Sequence, residues 1–379
     1  MSDRSKGNGS IQQRASGTWQ MRYYGVPDES GQRKQHNETV KGSRRQAERL
    51  LRERLTAVET GSHVAREKET VSQFLARWLD TYVATNTTAK TQQGYRQCIN
   101  CYTGPLSQIS IQGLTARHIQ AVYSGMLEKG LSAATVVQLH RILHRALTVG
   151  VKWGILARNV ADATTPPRIA RRELKMWDVE TIQRFLDVAV GSRYKDFYHL
   201  ALLTGMRRAE LAGLQGAYVD LVDGRLGVVK TLQRISGKGL IESQPKTARS
   251  RRSIALSPDA VSLLHEVRGR QIAQQMTVGE VWHSGDYVFT QADGRPVDPD
   301  AITRDFTELI RKTGLPHLTV HGLRHAHATL LLESGINPKV VSERLGHATI
   351  ATTMDIYSHV LPGLQESAAL ALDARLSKK

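Results

Sequence analysis

Two short clusters near the C-terminal end of the chain, His321-Gly322-Leu323-Arg324 and Leu345-Gly346-His347, bring cationic and proton-handling groups close in sequence to one tyrosine, Tyr357. A phenol titrates near 10 and is a weak nucleophile at neutral pH, so Tyr357 needs partners that take its proton and receive negative charge. A further arginine comes from Thr204-Gly205-Met206-Arg207. Each guanidinium presents a planar fork of donors, and two forks can hold the nonbridging oxygens of a pentacoordinate phosphorus without a metal. Arg207 and Arg324 are the expected pair, and the chemistry they suit is attack on a phosphodiester. Taken singly, Arg207 with Glu210 is a surface ion pair, His347 after Gly346 is a histidine at a helix end, and a tyrosine is a core residue; the coincidence of all of them favours the chemical reading.

The elements must place these groups together. Asp178 can cap a helix carrying Ile182, Phe185 and Leu186, and Phe197 to Leu203 reads as a second, buried one that Gly205 ends just before Arg207. Arg207 then enters a helix running to Leu214, whose N-terminal dipole also suits phosphate. Residues 218–256 alternate extended runs with turns (Leu226 to Val229, Ile241 to Gln244, Ser253 to Leu256), which predicts a three-stranded sheet. Gln244-Pro245-Lys246-Thr247 falls at a hairpin tip. His321 and Arg324 are three apart on a helix and so share a face. His321-x-x-x-His325 has metal-ligand spacing, but Gly322 stands where a metalloprotease needs Glu and no third ligand is evident, so no metal or cofactor is expected.

Thr204 to Glu210, the lysine in a basic hairpin, His321-x-x-Arg324, Leu345-Gly346-His347 and Tyr357, five elements in order, resemble the tyrosine recombinase family, in particular integrases of phages and integrative or conjugative elements. The resemblance is strong from about Trp177 onward and rests on pattern before it. It implies strand cleavage by Tyr357 to give a 3′-phosphotyrosine and a free 5′-hydroxyl that attacks a partner duplex. By the same resemblance Lys246 is the general acid for the departing 5′-oxygen, with Arg249, Arg251 and Arg252 as neighbours that contact DNA backbone or serve solubility. His321 would share the phosphate or hold the tyrosine proton, and His347 would donate to a phosphate oxygen. Competing readings are a catalytically silent DNA-binding protein on the same fold, or a related topoisomerase or resolvase; a silent relative would tolerate losses among these six positions, and none is lost.

Composition agrees. At 379 residues the chain should form two or three domains, and a formal charge of +17 with pI near 10.0 suits a polyanionic partner. The net charges of residues 1–68, 69–170 and 171–379 are +6, +6 and +5, so basicity per residue is densest outside the catalytic half. No apolar run is long enough to span a membrane and the N-terminus lacks a secretory apolar segment, from which a soluble, intracellular protein is expected; the resemblance implies a cytoplasmic, nucleoid-associated protein of a bacterial host. Cys98 and Cys101 are spaced C-x-x-C inside a helical stretch, lack a second pair, and read as packing cysteines.

The expected fold is mainly α with small β-sheets, in three parts. Residues 1–66 form a small sheet backed by a helix: Trp19, Met21 and Tyr23 alternate with polar residues, Arg33 to Val40 is extended, and Ser43 with Gln46 forms a capping box before Ala47, Leu50, Leu51, Leu55 and Val58. By resemblance this is an arm-type DNA-binding domain offering Arg22, Arg33 and Lys34, although such charges can also be a solvated face. Residues 67–160 form a four-helix core-binding domain, opened by a second capping box at Thr70 and Gln73, with Lys90, Arg96 and Arg141 as phosphate contacts or solvated charges. Residues 161–175, around Thr164-Thr165-Pro166-Pro167 and ending in Arg171-Arg172, read as a linker that contacts DNA and lets two domains close around a duplex. Residues 176–379 are the mixed α/β catalytic domain, ending in a stripe of Leu364, Ala368, Leu372 and Leu376 that docks in cis or on a neighbouring protomer. Duplex attachment sites, a homotetramer on DNA, and an excisionase or host DNA-bending protein are the implied partners.

Overall fold

The computed structural model describes residues 9–27, 31–59, 68–170, 177–245 and 250–354, with 369–370, 372–373 and 376 near the C-terminus. The chain divides into two compact units, Met1–Arg171 and Arg172–Lys379. No helix among the described residues is long and apolar enough to cross a membrane.

The first unit carries two separate cores. Strands β1 (Ser10–Ala15), β2 (Thr18–Pro27) and β3 (Arg33–Lys41) form an antiparallel sheet in the order β1-β2-β3. The polar stretch before Trp19, which carries no apolar alternation, is also a strand; its side chains are mostly exposed. Met21, Tyr23, Ala47 and Leu51 are buried between the sheet and helix α1 (Arg44–Glu59). The capping box forms: the Gln46 amide donates to Ser43 Oγ and the Ser43 amide to Gln46 Oε1. Tyr23 donates to Glu38, which also pairs with Arg54 at 3.1 Å, fastening the helix to β3.

The second core belongs to α2 (Val71–Trp78), α3 (Ala89–Tyr102), α4 (Ala116–Glu128) and α5 (Ala133–Lys152). Thr70 and Gln73 make the reciprocal capping box. Buried positions on α5, including Val136, Leu139, Leu143, Ala146, Leu147 and Gly150, follow the three-and-four spacing of one helix face. Gly150 packs closely, since a Cβ there would lie 3.0 Å from the Phe74 ring and 3.1 Å from Leu156 Cδ1, so both neighbours would have to give by a few tenths of an ångström. Each fully buried Phe74 or Leu139 contributes about 1.5–3 kcal/mol of transfer free energy. Cys98 lies in this core, where burial pushes its thiol up to about 11, and Cys101 is exposed; both are free thiols. The start of the expected linker is anchored: Val160–Ala163 is a 3-10 turn with Ala161 in the core, and Asn159 Nδ2 donates to His144 O at 3.0 Å.

The second unit has one large core. Helices α6 (Val179–Ala189) and α7 (Lys195–Thr204) pack with α10 (Pro299–Thr313) through Trp177, Phe185, Tyr198 and Phe306. Tyr198 donates to Asp305 Oδ2 at 2.7 Å, giving the buried phenol a partner. After the short α8 (Arg208–Ala212), residues 219–255 make two sheets instead of one. Strand β5 (Arg225–Val228) pairs with β4 (Val219–Asp220) and β8 (Arg252–Ala255), whereas β6 (Thr231–Ile235) pairs with β7 (Gly239–Ser243) in a separate hairpin. The expected three strands therefore fall in different sheets, because the turn at Ser236-Gly237-Lys238 gives β7 a nearer partner than β5. Helix α9 (Pro258–Val278) follows, and α11 (Val320–Glu333) and α12 (Pro338–Leu345) complete the unit. Of the C-terminal stripe only Leu372 and Leu376 are described side chains, both exposed, and Leu364 and Ala368 lie outside the described residues.

Candidate active site

Four stretches distant in sequence meet at the C-terminal end of α12: the α7–α8 turn, β8, α11 and the segment after Leu345. Gly205 makes the first turn possible. It caps α7 with φ +65°, a region costly to side chains with a Cβ, and a Cβ there would lie 2.5 Å from His327 Cδ2 and 2.6 Å from Leu345 Cδ2. The turn aims the Gly205 carbonyl at Arg324 and makes Arg207 the residue before α8.

The last carbonyls of a helix have no partner within it and carry its negative pole. Here three successive ones each accept from a different guanidinium. Arg252 Nε donates to Arg344 O at 2.7 Å, Arg324 Nη2 to Leu345 O at 2.7 Å, and Arg207 Nη2 to Gly346 O at 3.1 Å. Arg324, only 3% exposed, gives its other amino group to Gly205 O at 2.8 Å. Burial, together with Arg207 and Arg252, pushes its guanidinium down to about 9 against the pull of Glu210, which still leaves it a cation at neutral pH.

Glu210 is 2% exposed and fully engaged. Its Oε1 accepts from Arg207 Nη1 at 2.6 Å and Arg252 Nη1 at 3.2 Å; its Oε2 accepts from the Arg207 amide and from Arg252 Nη2, both at 2.9 Å. Burial alone would raise its proton affinity, but the bonds and charges of Arg252 and Arg207 outweigh that and hold the carboxyl below its ordinary value. Glu210 thus orients the Arg207 guanidinium, and with the carboxylate buried the two are not the surface ion pair that their spacing alone suggests. Helix α8, however, is only five residues long, so its dipole adds little at Arg207 and the arginines carry the positive field.

The histidines around this centre are neutral near pH 7. For His347, burial followed by Arg324 and Arg207 lowers the imidazole to about 4, and its Nδ1 bonds the buried Thr353 hydroxyl at 2.8 Å. His321 is lowered first by desolvation and then by His325, Arg324 and Arg207, although the residue as a whole is exposed to solvent. The His321 and His325 rings meet edge to face, 5.0 Å apart. His327 is buried with Nδ1 2.6 Å from Leu202 O, so Nδ1 carries the proton and Nε2 accepts from Arg344 Nε at 3.2 Å. Among the described residues no group of three metal-ligating side chains occurs.

Of the sequence-derived candidates, Arg207, His321, Arg324 and His347 converge. Lys246, Tyr357, Arg171 and Arg172 lie outside the described residues. Arg251 is exposed and donates to Gln244, whereas Arg252, expected to serve solubility or DNA backbone contact, is buried in the ion network. The strand itself carries the missed signal: Arg252 shares the inward face of β8 with buried Ile254. On the small sheet, Arg22 pairs with Asn37 in register, so Arg22, Asn37 and Arg33 face away from α1; Lys34 takes the opposite parity, with His36, and does not join them. Lys90 and Arg141 are exposed on α3 and α5. Arg96 is tied to Asp80 at 2.8 Å, so a phosphate must compete with that carboxylate. Arg145, not singled out in the sequence, lies over the Tyr82 ring and donates to Tyr95 Oη at 3.2 Å.

Residues 173–363 match the phage integrase family, about half of the chain. The chain is 28% identical over 352 residues to a tyrosine recombinase XerC-like protein of Caldanaerobacter subterraneus subsp. tengcongensis, covering 87% of this chain and 90% of the relative. It is 29% identical over 265 residues to the ICEBs1 integrase of Bacillus subtilis, covering 69% and 72%. Among solved structures, the Tn1549 transposon integrase in complex with a circular intermediate DNA matches with TM-score 0.68 at 21% identity, over 81% of this chain and 99% of that one. A lambda integrase tetramer bound to a Holliday junction matches with TM-score 0.58 at 20% identity, over 93% and 96%. These structural likenesses establish the shared fold. The chain belongs to the phage integrase family, the tyrosine recombinases, enzymes that cleave and rejoin DNA through a phosphotyrosine intermediate.

Proposed function

We propose that the chain is the integrase of a bacterial mobile element, acting in the cytoplasm on duplex attachment sites, with Tyr357 as nucleophile and Arg207, Lys246, His321, Arg324 and His347 as its machinery. The observation that carries this reading is the convergence of Arg207, Arg324, His321 and His347 on a centre where two guanidiniums share one carboxylate and a third, Arg324, is held beside them by main-chain carbonyls. Such a centre attracts a phosphodiester and stabilises the charge that grows on its oxygens during displacement.

In this reading Arg324 and the more open Arg207 bind the nonbridging oxygens. Tyr357 Oη attacks phosphorus in line as its proton passes to His321, whose imidazole is neutral near pH 7 and so has a ring nitrogen free of a proton to accept it. The new O–P bond forms as the P–O5′ bond breaks, and Lys246 protonates the departing 5′-oxygen. His347, its Nδ1 held by Thr353, turns its other ring nitrogen to the phosphate. The reverse reaction with a 5′-hydroxyl from a second duplex rejoins the strands. Residues 1–66 would read arm sites through Arg22 and Arg33, and 67–160 core sites through Lys90 and Arg141. A homotetramer assembles on DNA, by analogy with the lambda integrase tetramer on its Holliday junction, with an excisionase or DNA-bending host protein setting direction.

The test is incubation with a nicked suicide duplex, resolved on a denaturing gel. The wild-type chain should accumulate a covalent adduct, and Tyr357→Phe, which removes only the attacking oxygen, should form none while retaining duplex binding. An undiminished adduct in the variant removes Tyr357 from the role.

A further inference from the structure

We propose that Arg252 is a positioning residue that sets the charge of the cleavage site: by taking up the Glu210 carboxylate, it leaves the charge of Arg207 uncompensated for a DNA phosphate. This rests on the reading of Arg207 as a phosphate ligand and assigns a role to a residue that the proposed reaction does not itself use.

Arg207 faces an apparent contradiction. It bonds Glu210 through both its guanidinium and its main-chain amide, and a one-to-one buried pair would cancel the charge that a phosphate needs. Arg252 resolves it. Each carboxylate oxygen also receives one of its amino groups, in the parallel fork geometry that suits a carboxylate. The side chain of Arg252 is 6% exposed and that of Arg207 35%, so the inner cation neutralises the inner anion and the outer one keeps its field directed outward. The triad is then net +1, and Arg324, which bonds no carboxylate among the described residues, adds a second charge.

Geometry links Arg252 to the site a second time. Its Nε caps Arg344 O, one residue before the carbonyl that holds Arg324 and two before the one that holds Arg207. A guanidinium is the one side chain that can fill a carboxylate fork and a helix-end carbonyl together; lysine has the charge without the fork.

A purely structural role and a charge-setting role differ in the sign of a double substitution. Single-turnover cleavage of the nicked suicide duplex would be measured for wild type, Arg252→Met, Arg252→Lys and the pair Arg252→Met with Glu210→Gln, with duplex affinity from anisotropy and folding from thermal melts. Arg252→Met should slow cleavage about tenfold or more, short of the hundredfold for a direct donor, with affinity unchanged. Arg252→Lys should fall between the two. The double variant has lost more bonds, yet it should cleave severalfold faster than Arg252→Met because the carboxylate that would neutralise Arg207 is gone. A double variant as slow as Arg252→Met or slower overturns the proposal, as does wild-type cleavage by Arg252→Met. If Arg252→Met melts too low to assay, Arg252→Lys alone and Arg252→Lys with Glu210→Gln supply the same comparison: the lysine variant should be slowed and its Glu210→Gln partner faster, and the opposite order overturns the proposal. A wild-type chain that forms no adduct would instead refute the recombinase reading, and this proposal with it.

Discussion

Replacing Glu210 by alanine removes the carboxylate at the centre of the site and leaves the Arg252 guanidinium buried with, among the described residues, only carbonyl partners. Deleting one member of a buried ion pair costs about 3–5 kcal/mol, because the remaining charge is neither solvated nor paired. For a unit the size of residues 172–379, about 2–4 °C of Tm is lost per kcal/mol, so its transition should fall by about 6–20 °C at neutral pH. The pH dependence has a defined sign. The Glu210 carboxyl lies below its ordinary value of 4.5 in the folded chain, so its contribution is fully present above that value and is lost as pH falls through the lowered one. The gap between wild type and variant should therefore be constant from pH 7 to 5.5 and narrow below about pH 4.5. Calorimetry of the two full-length chains across this range gives both numbers. A drop under about 3 °C at pH 7, or a gap that widens on acidification, would refute the claim that Glu210 is an ionised hub.

Other outcomes follow from the same geometry. Arg207→Ala or Arg324→Ala should reduce single-turnover cleavage about a hundredfold or more, and near-normal rates in the suicide-duplex assay would contradict the two-fork clamp. Gly205→Ala forces a Cβ into the left-handed region and against His327 and Leu345, so its denaturant midpoint should report a loss of at least about 1–3 kcal/mol; an unchanged midpoint would show that the turn relaxes freely. Replacing Arg22 and Arg33 by alanine should lower the slope of log affinity for arm DNA against log salt by about 0.9 for each phosphate no longer neutralised, whereas Lys34→Ala, on the other face, should leave it unchanged. Equal effects at all three positions would return the sheet to a merely solvated, nonspecific surface.

Much of the site was legible because its signals are local. Gly205 before Arg207, the spacing of His321 and Arg324, and Gly346 before His347 mark two helix ends and one helix face, and all three are present. The capping boxes at Ser43 and Thr70 were readable for the same reason, since donor and acceptor lie three residues apart. What escaped depends on partners far away in the chain. Nothing near Arg252 announces Glu210, 42 residues earlier, and a run of basic residues invites a surface reading that the inward parity with Ile254 contradicts. The β6–β7 hairpin was missed because its first strand, Thr231 to Ile235, lies against β5 in sequence and its pairing is decided by a turn. Helix α9 has buried residues only up to Val267, and beyond it Ile272 and Met276 are exposed, so its apolar positions do not follow one buried face from end to end. Strand β1 brings only Ile11 to the core among mostly polar, exposed residues, and becomes visible only once β2 supplies its hydrogen bonds.

The identity of the atom joined to DNA is the most direct test of the proposed chemistry. The wild-type chain would be trapped on a nicked suicide duplex, digested with protease and nuclease, and the adducted peptide sequenced by mass spectrometry. The expected result is a nucleotide 3′-phosphate on Tyr357, with a free 5′-hydroxyl on the released strand. A phosphoryl group on any other side chain, or a 5′-phosphate on the released strand, would contradict it.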